Sequence, residues 1–433
     1  MIITLYSPEI SSRLRYIVAH FFTDLLGVAV ELTTDVAHFQ VVRGVAVNYS
    51  KQGIREREIH LCPAPFLFAT GVEEQQLDSG IMAGVPYCFA GPPGYDLPFD
   101  PLAAAFFVLS RYEEYLPHEK DQHGRYPAAL SWLSRNAALD RPILWEWAKL
   151  VRAAIRNKYP TWEAPPIHRQ YRFLPTYDID IPWAYCHRGW RGWVRARMDR
   201  WTAGPEHLQA RKRAQLDASD DPYFTFPQLK YLHQKHDLQP MVFWLVADRA
   251  KYDVNPNPGL AAFQDLVREV AVWSNTGLHP SYQRGQDARG VTMEKQRLEN
   301  ILQQPIKHSR QHFLRLSLPH TYRQLLAAGM EADYSMGYAA QPGFRAGTSE
   351  PFYWYDLEKE EATALRVHPF VVMDVTLKQY QGMGPAEAQV YLQEIQTYCK
   401  REGLSFCTLW HNSSFSPLFG WDEEWWSVYQ SLF

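Results

Sequence analysis

The residues with the most chemical promise lie where apolar runs give out. In FLPTYDIDIPW, Asp178 and Asp180 leave the carboxyl end of such a run, and on an extended segment residues at i and i+2 point the same way. Two carboxylates side by side repel and raise one pKa unless a cation lies between them or the pair divides into a metal ligand and a base. The plainer alternative is a turn in which one Asp caps a following helix. A later run ends in LHPSYQRG, leaving His279 at a strand end ahead of Pro280, and the last ends in LWHNSSF, leaving His411 at the matching position. Three strands of one sheet that each end in Asp or His point to a metal or acid-base site. Trp410 and Tyr282, close to those histidines in the chain, are the aromatic candidates for contact with a sugar ring.

These residues need a scaffold that gathers strand ends. From residue 171 onward, short apolar runs alternate with helical segments, the pattern of a parallel sheet. The runs are Arg172–Tyr177, Pro240–Ala247, Thr276–His279, Phe313–Leu316, Ala332–Ser335, Pro369–Val375 and Leu404–Trp410, which makes seven strands. Seven βα units predict an α/β fold, either a barrel or a strongly curved open sheet, with its chemistry at the C-terminal ends of the strands. Ahead of them lie an amphipathic helix carrying Leu14, Ile17, Val18, Phe21, Phe22, Leu25 and Leu26, strands around Val28–Leu32, Glu58–Cys62 and Pro86–Phe89, and helices near Leu102–Tyr115 and Pro142–Lys158. This reads as a smaller α/β domain over residues 1–160, joined by the Pro-rich stretch TWEAPPIHRQ to a second domain over 171–433.

Composition narrows the field. Over 433 residues, 44 Lys and Arg stand against 47 Asp and Glu, a net charge of −3, so there is no overall electrostatic footprint for nucleic acid. The five cysteines are odd in number and lack a CxxC pair, which predicts reduced thiols and, with no recognisable secretory signal, a cytoplasmic setting. No run approaches the roughly 20 apolar residues that cross a bilayer. The basic stretch HRGWRGWVRARMDRW (187–201), continued by ARKR (210–213), reads either as a solvated helix or as Arg and Trp interleaved to grip a pyrophosphate or anionic sugar; single-stranded nucleic acid is a minor third reading. GxGxxG, GxxxxGK[ST], HExxH and GxSxG are all absent.

From about 171 to 412 the chain resembles the polysaccharide deacetylases, the family 4 carbohydrate esterases. TYDID (176–180) is similar to their TFDDG-like first motif, HPSYQ (279–283) in part to the H-[ST]-x-x-H motif, GFRAGT (343–348) to an Arg-Pro-type motif, and LWH (409–411) to a closing Leu-x-His. Longer strings such as DPLAAAFFVLSRYEEYLP resemble a bacterial subgroup in which an uncharacterised N-terminal α/β domain precedes the deacetylase domain. The resemblance implies a distorted seven-stranded (β/α) barrel and metal-dependent removal of an acetyl group from a sugar or glycan precursor, with zinc the foremost divalent metal. It implies Asp178 as general base, Asp180 and His279 as ligands, Arg345 as the residue orienting the base, and His411 as general acid. Two positions depart from the pattern. Ile179 separates the aspartates, so the roles of Asp178 and Asp180 are exchangeable, and Gln283 stands where the family has its second histidine. His312 is the candidate to supply the missing nitrogen, though the strand reading sets it on the N-terminal side, and His320 and Asp287 are weaker candidates. If none reaches the metal, the alternative is a catalytically inactive barrel acting as a glycan-binding or scaffold protein.

Overall fold

The computed structural model describes residues 2–163, 170–187 and 204–433. Residues 164–169 of the expected linker and 188–201 of the basic stretch lie outside the described residues, whereas ARKR falls within a helix, Pro205–Leu216.

The N-terminal part is built on a four-stranded parallel sheet in the order β2-β1-β3-β4, from β1 (Ile3–Tyr6), β2 (Val30–Thr33), β3 (Val45–Tyr49) and β4 (Ile59–Leu61). A short antiparallel hairpin, β5 (Gly80–Met82) and β6 (Val85–Tyr87), follows. The expected first helix is present as Ser12–Val18, capped by the Ser11 hydroxyl and continuing as a π-helix over Ala19–Leu25. The helix Pro101–Leu109 is buried at all nine positions; Asp100 caps it by accepting from the amides of Leu102 and Ala103.

The second sheet has nine strands in the order β12-β13-β11-β10-β9-β8-β7-β15-β14. These are β7 (Arg172–Ile179), β8 (Met241–Trp244), β9 (Asn275–Leu278), β10 (His308–Ser309), β11 (Ala332–Asp333), β12 (Phe352–Asp356), β13 (Glu361–Val367), β14 (Val372–Met373) and β15 (Ser405–His411). Neighbours pair in parallel except β12 with β13, which form a hairpin. The mixed α/β class and a barrel-like, curled sheet are as expected, but the strand number is corrected from seven to nine, with β12 and β14 at the two ends of the sheet. The added hairpin escaped the sequence because β13 reads EATALRV, in which charged residues on the solvent side break up the apolar run. The fourth strand is also corrected: it is β10, and the segment expected at Phe313–Leu316 begins instead in a short 3-10 turn at His312–Leu314.

One core cluster runs through both parts, from Leu5 and Phe106 to Trp410 and Tyr429. Gly343 and Gly347 show how close the two parts lie. A Cβ at Gly343 would meet the Leu139 carbonyl oxygen at 2.5 Å, and one at Gly347 would meet Val108, Leu144 and Ile143 within 2.9 Å.

Candidate metal centre and acid-base site

The C-terminal ends of β10, β9, β8, β7, β15 and β14 lie side by side, and most of the candidate residues come from them. Register explains which side chains meet. Trp410 pairs with Tyr177 across β15 and β7, and His411 pairs with Asp178 one residue further on. Because successive residues on a strand face opposite ways, the first pair goes outward and the second goes to the site. Tyr177 and Trp410 accordingly pack on Tyr429 of the helix Glu423–Gln430, and Trp410 is fully buried. Substrate contact through Trp410 is therefore corrected to a core role.

Asp180, His279 and His312 converge, with their potential ligand atoms within 4.8 Å of one another. His279 Nε2 is 3.2 Å and His312 Nε2 3.5 Å from Asp180 Oδ1. The tautomers follow from the partners on the far side of each ring. His279 Nδ1 lies 2.5 Å from the Arg310 carbonyl oxygen, which can only accept, so Nδ1 donates. His312 Nδ1 lies 2.9 Å from Asp253 Oδ1 and donates likewise. With Nδ1 engaged in this way, each ring turns its Nε2 toward the same carboxylate, the arrangement by which outer partners orient metal-ligating histidines. Asp180 Oδ1 is itself buried without a satisfactory hydrogen bond. Once the rings give up their Nε2 protons, the two nitrogens and Asp180 Oδ1 are three acceptors that face one another and fit a cation, and two imidazoles with one carboxylate suit zinc or another first-row divalent ion.

The electrostatics agree. Burial pushes the Asp180 carboxyl up, but the imidazoles of His312 and His279 outweigh it and hold it well below the carboxylate range. Burial lowers His312, yet the charges of Asp180 and Asp253 raise it to about 9. A group so placed must give up its proton for metal to bind.

The two aspartates are divided by their partners. Asp178 Oδ1 accepts from Arg310 Nη1 at 3.0 Å, and Asp178 Oδ2 lies 3.7 Å from His279 Nε2. Arg310 is fully buried, donates through Nε to the Tyr334 carbonyl, and lies over the Phe243 ring. Opposite, His411 Nδ1 sits 2.9 Å from Asp374 Oδ1, and Asp374 also accepts from the His411 amide. Burial opposes protonation of His411, but Asp374 outweighs it and lifts the imidazolium to about 10.

Arg345, expected to orient the base, is elsewhere. Its guanidinium forks onto Glu114 at 2.9 and 2.6 Å, and Glu114 also holds Arg111 at 2.8 Å. Burial raises Glu114, but the two guanidiniums pull it down to about 2. The seat beside Asp178 belongs to Arg310 because the GFRAGT loop is anchored to the N-terminal part. Tyr282 is half-buried; it lies under the Arg315 guanidinium and beside Tyr252. Gln283 is exposed and donates only its backbone N–H to Asp253, Asp287 caps the helix Ala288–Leu302, and His320 is exposed. His312 joins the centre because β10 ends at Ser309, which sets His312 beyond the C-terminal end of its strand.

Asp253, Arg310 and Asp374 were not anticipated. Arg310 and Asp374 each follow an element end, in HSRQHF and VVMDVT, the same signal that exposed Asp178. Asp253 lies in the loop after β8 and had no such signal.

Residues 3–160 match the model of a family of unknown function, DUF7033. No curated protein matches the chain. Among solved structures, it is similar to a protein assigned to the polysaccharide deacetylases from Mycobacterium smegmatis, at 14% identity and TM-score 0.41 over 62% of this chain and 85% of that one. It is also similar to the polysaccharide deacetylase Bc1974 from Bacillus cereus, at 12% identity and TM-score 0.30 over 60% and 87% of the respective chains. BA3943, a CE4 family pseudoenzyme from Bacillus anthracis, is similar at 9% identity and TM-score 0.30 over 63% and 67%. At such identities the chemistry has to be read from the residues themselves. Among the described residues no helix is long and apolar enough to cross a membrane.

Proposed function

We propose that the chain is a metal-dependent hydrolase that removes an N-acetyl or other acyl group from a sugar or glycan precursor. The observation that carries this reading is the orphaned Asp180 Oδ1 flanked by two outward-anchored histidines, with a guanidinium-bound carboxylate on one side and a carboxylate-bound imidazolium on the other. Asp180, His279 and His312 would hold the ion, zinc first among candidates, which when bound supplies a Lewis acid for the scissile carbonyl and acidifies water.

The remaining steps belong to the protein. Asp178 has one oxygen fixed by Arg310 and the other turned toward the centre, so it can accept the proton of the attacking water. His411, protonated at neutral pH and oriented through Nδ1 by Asp374, presents Nε2–H to the departing nitrogen, which leaves as an amine. Arg310 keeps Asp178 aimed. Tyr282, near the site, is the remaining aromatic candidate for the sugar.

Acetate release from N-acetylglucosamine oligosaccharides tests the proposal, using chelator-stripped protein with and without added zinc. Metal-restored release is the expected result. Binding of the glycan and of one ion, with no release under any condition, would instead favour the non-catalytic glycan-binding reading.

A further inference from the structure

The metal ligand His312 begins a strained segment that the N-terminal part of the chain holds in place. Phe313 (φ 59°, ψ 15°) and Leu314 (φ 54°) both occupy the left-handed region, which bulky residues avoid and glycine favours. Two such residues in succession persist only where the surroundings over-determine them. The surroundings are supplied largely from residues 121–125. Arg125 Nη1 donates to the Phe313 carbonyl at 3.0 Å, and Arg125 is itself fixed by Asp121, 2.7 Å from its Nε. The His123 ring packs on Phe313 with centroids 4.9 Å apart. From the other side Arg315, just beyond the strained pair, donates to the carbonyls of His123 and Tyr282 at 3.0 and 2.5 Å.

We infer that Arg125 is a positioning residue for the metal centre: by gripping the Phe313 carbonyl it fixes the turn that aims His312 at Asp180, so the N-terminal part completes the site. The inference rests on the metal-binding reading above. It gives residues 3–160 a role in the chemistry without placing any of them on the metal or the substrate.

The test is zinc affinity, read by competition with a chromophoric chelator, together with the visible spectrum of the cobalt(II)-loaded protein, which reports the ligand set. Arg125→Ala is expected to weaken zinc about 10–100-fold, the usual cost of losing a residue that orients a ligand, and to alter the cobalt spectrum. Arg125→Lys, which keeps one donor for the carbonyl, should recover part of both. Glu402→Gln is the control, because Glu402 bonds Trp145 and Lys149 of the N-terminal part and none of residues 121–125, and it should leave both readouts unchanged. If Arg125→Ala does not fold, Arg125→Lys and His123→Ala carry the same comparison. Wild-type zinc affinity and cobalt spectrum in the Arg125 and His123 variants would overturn the inference alone. A wild-type protein that binds neither ion would overturn it together with the reading on which it rests.

Discussion

Asp374→Asn removes the charge that holds His411 protonated. The imidazolium stands at about 10, against 6.5 for a free imidazole, because the carboxylate 2.9 Å from Nδ1 outweighs burial. At 1.36 kcal/mol for each factor of ten, that gap corresponds to roughly 5 kcal/mol, and breaking a buried pair by removing one partner costs about 3–5 kcal/mol in general. The folded-state value is raised, so the stabilisation is complete below pH 6.5 and fades as pH rises through about 10. On chelator-stripped protein, urea unfolding at pH 7 should therefore show the variant about 3–5 kcal/mol less stable, with the two proteins converging above pH 10. The His411 ring resonance, assigned by its loss in His411→Gln, should titrate near 10 in the wild type and move toward 6.5 in the variant. A wild-type His411 that titrates at or below 6.5, or a stability difference that does not change with pH, would refute the reasoning.

Three other outcomes follow. Asp178→Asn and His411→Ala should each keep the bound metal and slow acetate release by about 10²–10⁴-fold, the usual contribution of a general base or acid, with metal content and kcat measured on the same preparations. Glu114→Gln strips two buried guanidiniums, Arg111 and Arg345, of their shared counter-charge and should cost about 3–5 kcal/mol in urea unfolding; an unchanged midpoint would show that the cluster carries no net stabilisation. A chain starting at residue 170 bares the surface that packs on Leu139, Ile143, Leu144 and Val108 and should aggregate or lack a cooperative melt, whereas a stable monomer would show that the parts fold independently.

The sequence was most informative where strand periodicity and residue chemistry coincide. Asp178, Asp180, His279 and His411 follow apolar runs, and such runs locate β7, β9 and β15 because β7 and β15 are buried on both faces for most of their length and β9 is over its last two residues. Legibility failed where the element was too short to carry a period. β10 has two residues, too few to show a period, so the neighbouring apolar run Phe313–Leu316 reads as the strand and leaves His312 on its N-terminal side. The place of Arg345 is not legible because an Arg in a loop motif gives no sign of which carboxylate it will meet, and Glu114 lies 231 positions away. Trp410 shows the limit of adjacency: next to His411 in the chain, it faces the opposite side of the strand.

Metal content under matched conditions is the most direct test of the account. Wild type, His279→Ala and His312→Ala, purified without chelator and assayed by elemental analysis after circular dichroism has shown each to be folded, should give about one divalent ion per chain in the wild type and little in either variant. Equal occupancy in all three, or a wild type that takes up no zinc when it is supplied, would remove the centre on which the proposed chemistry stands.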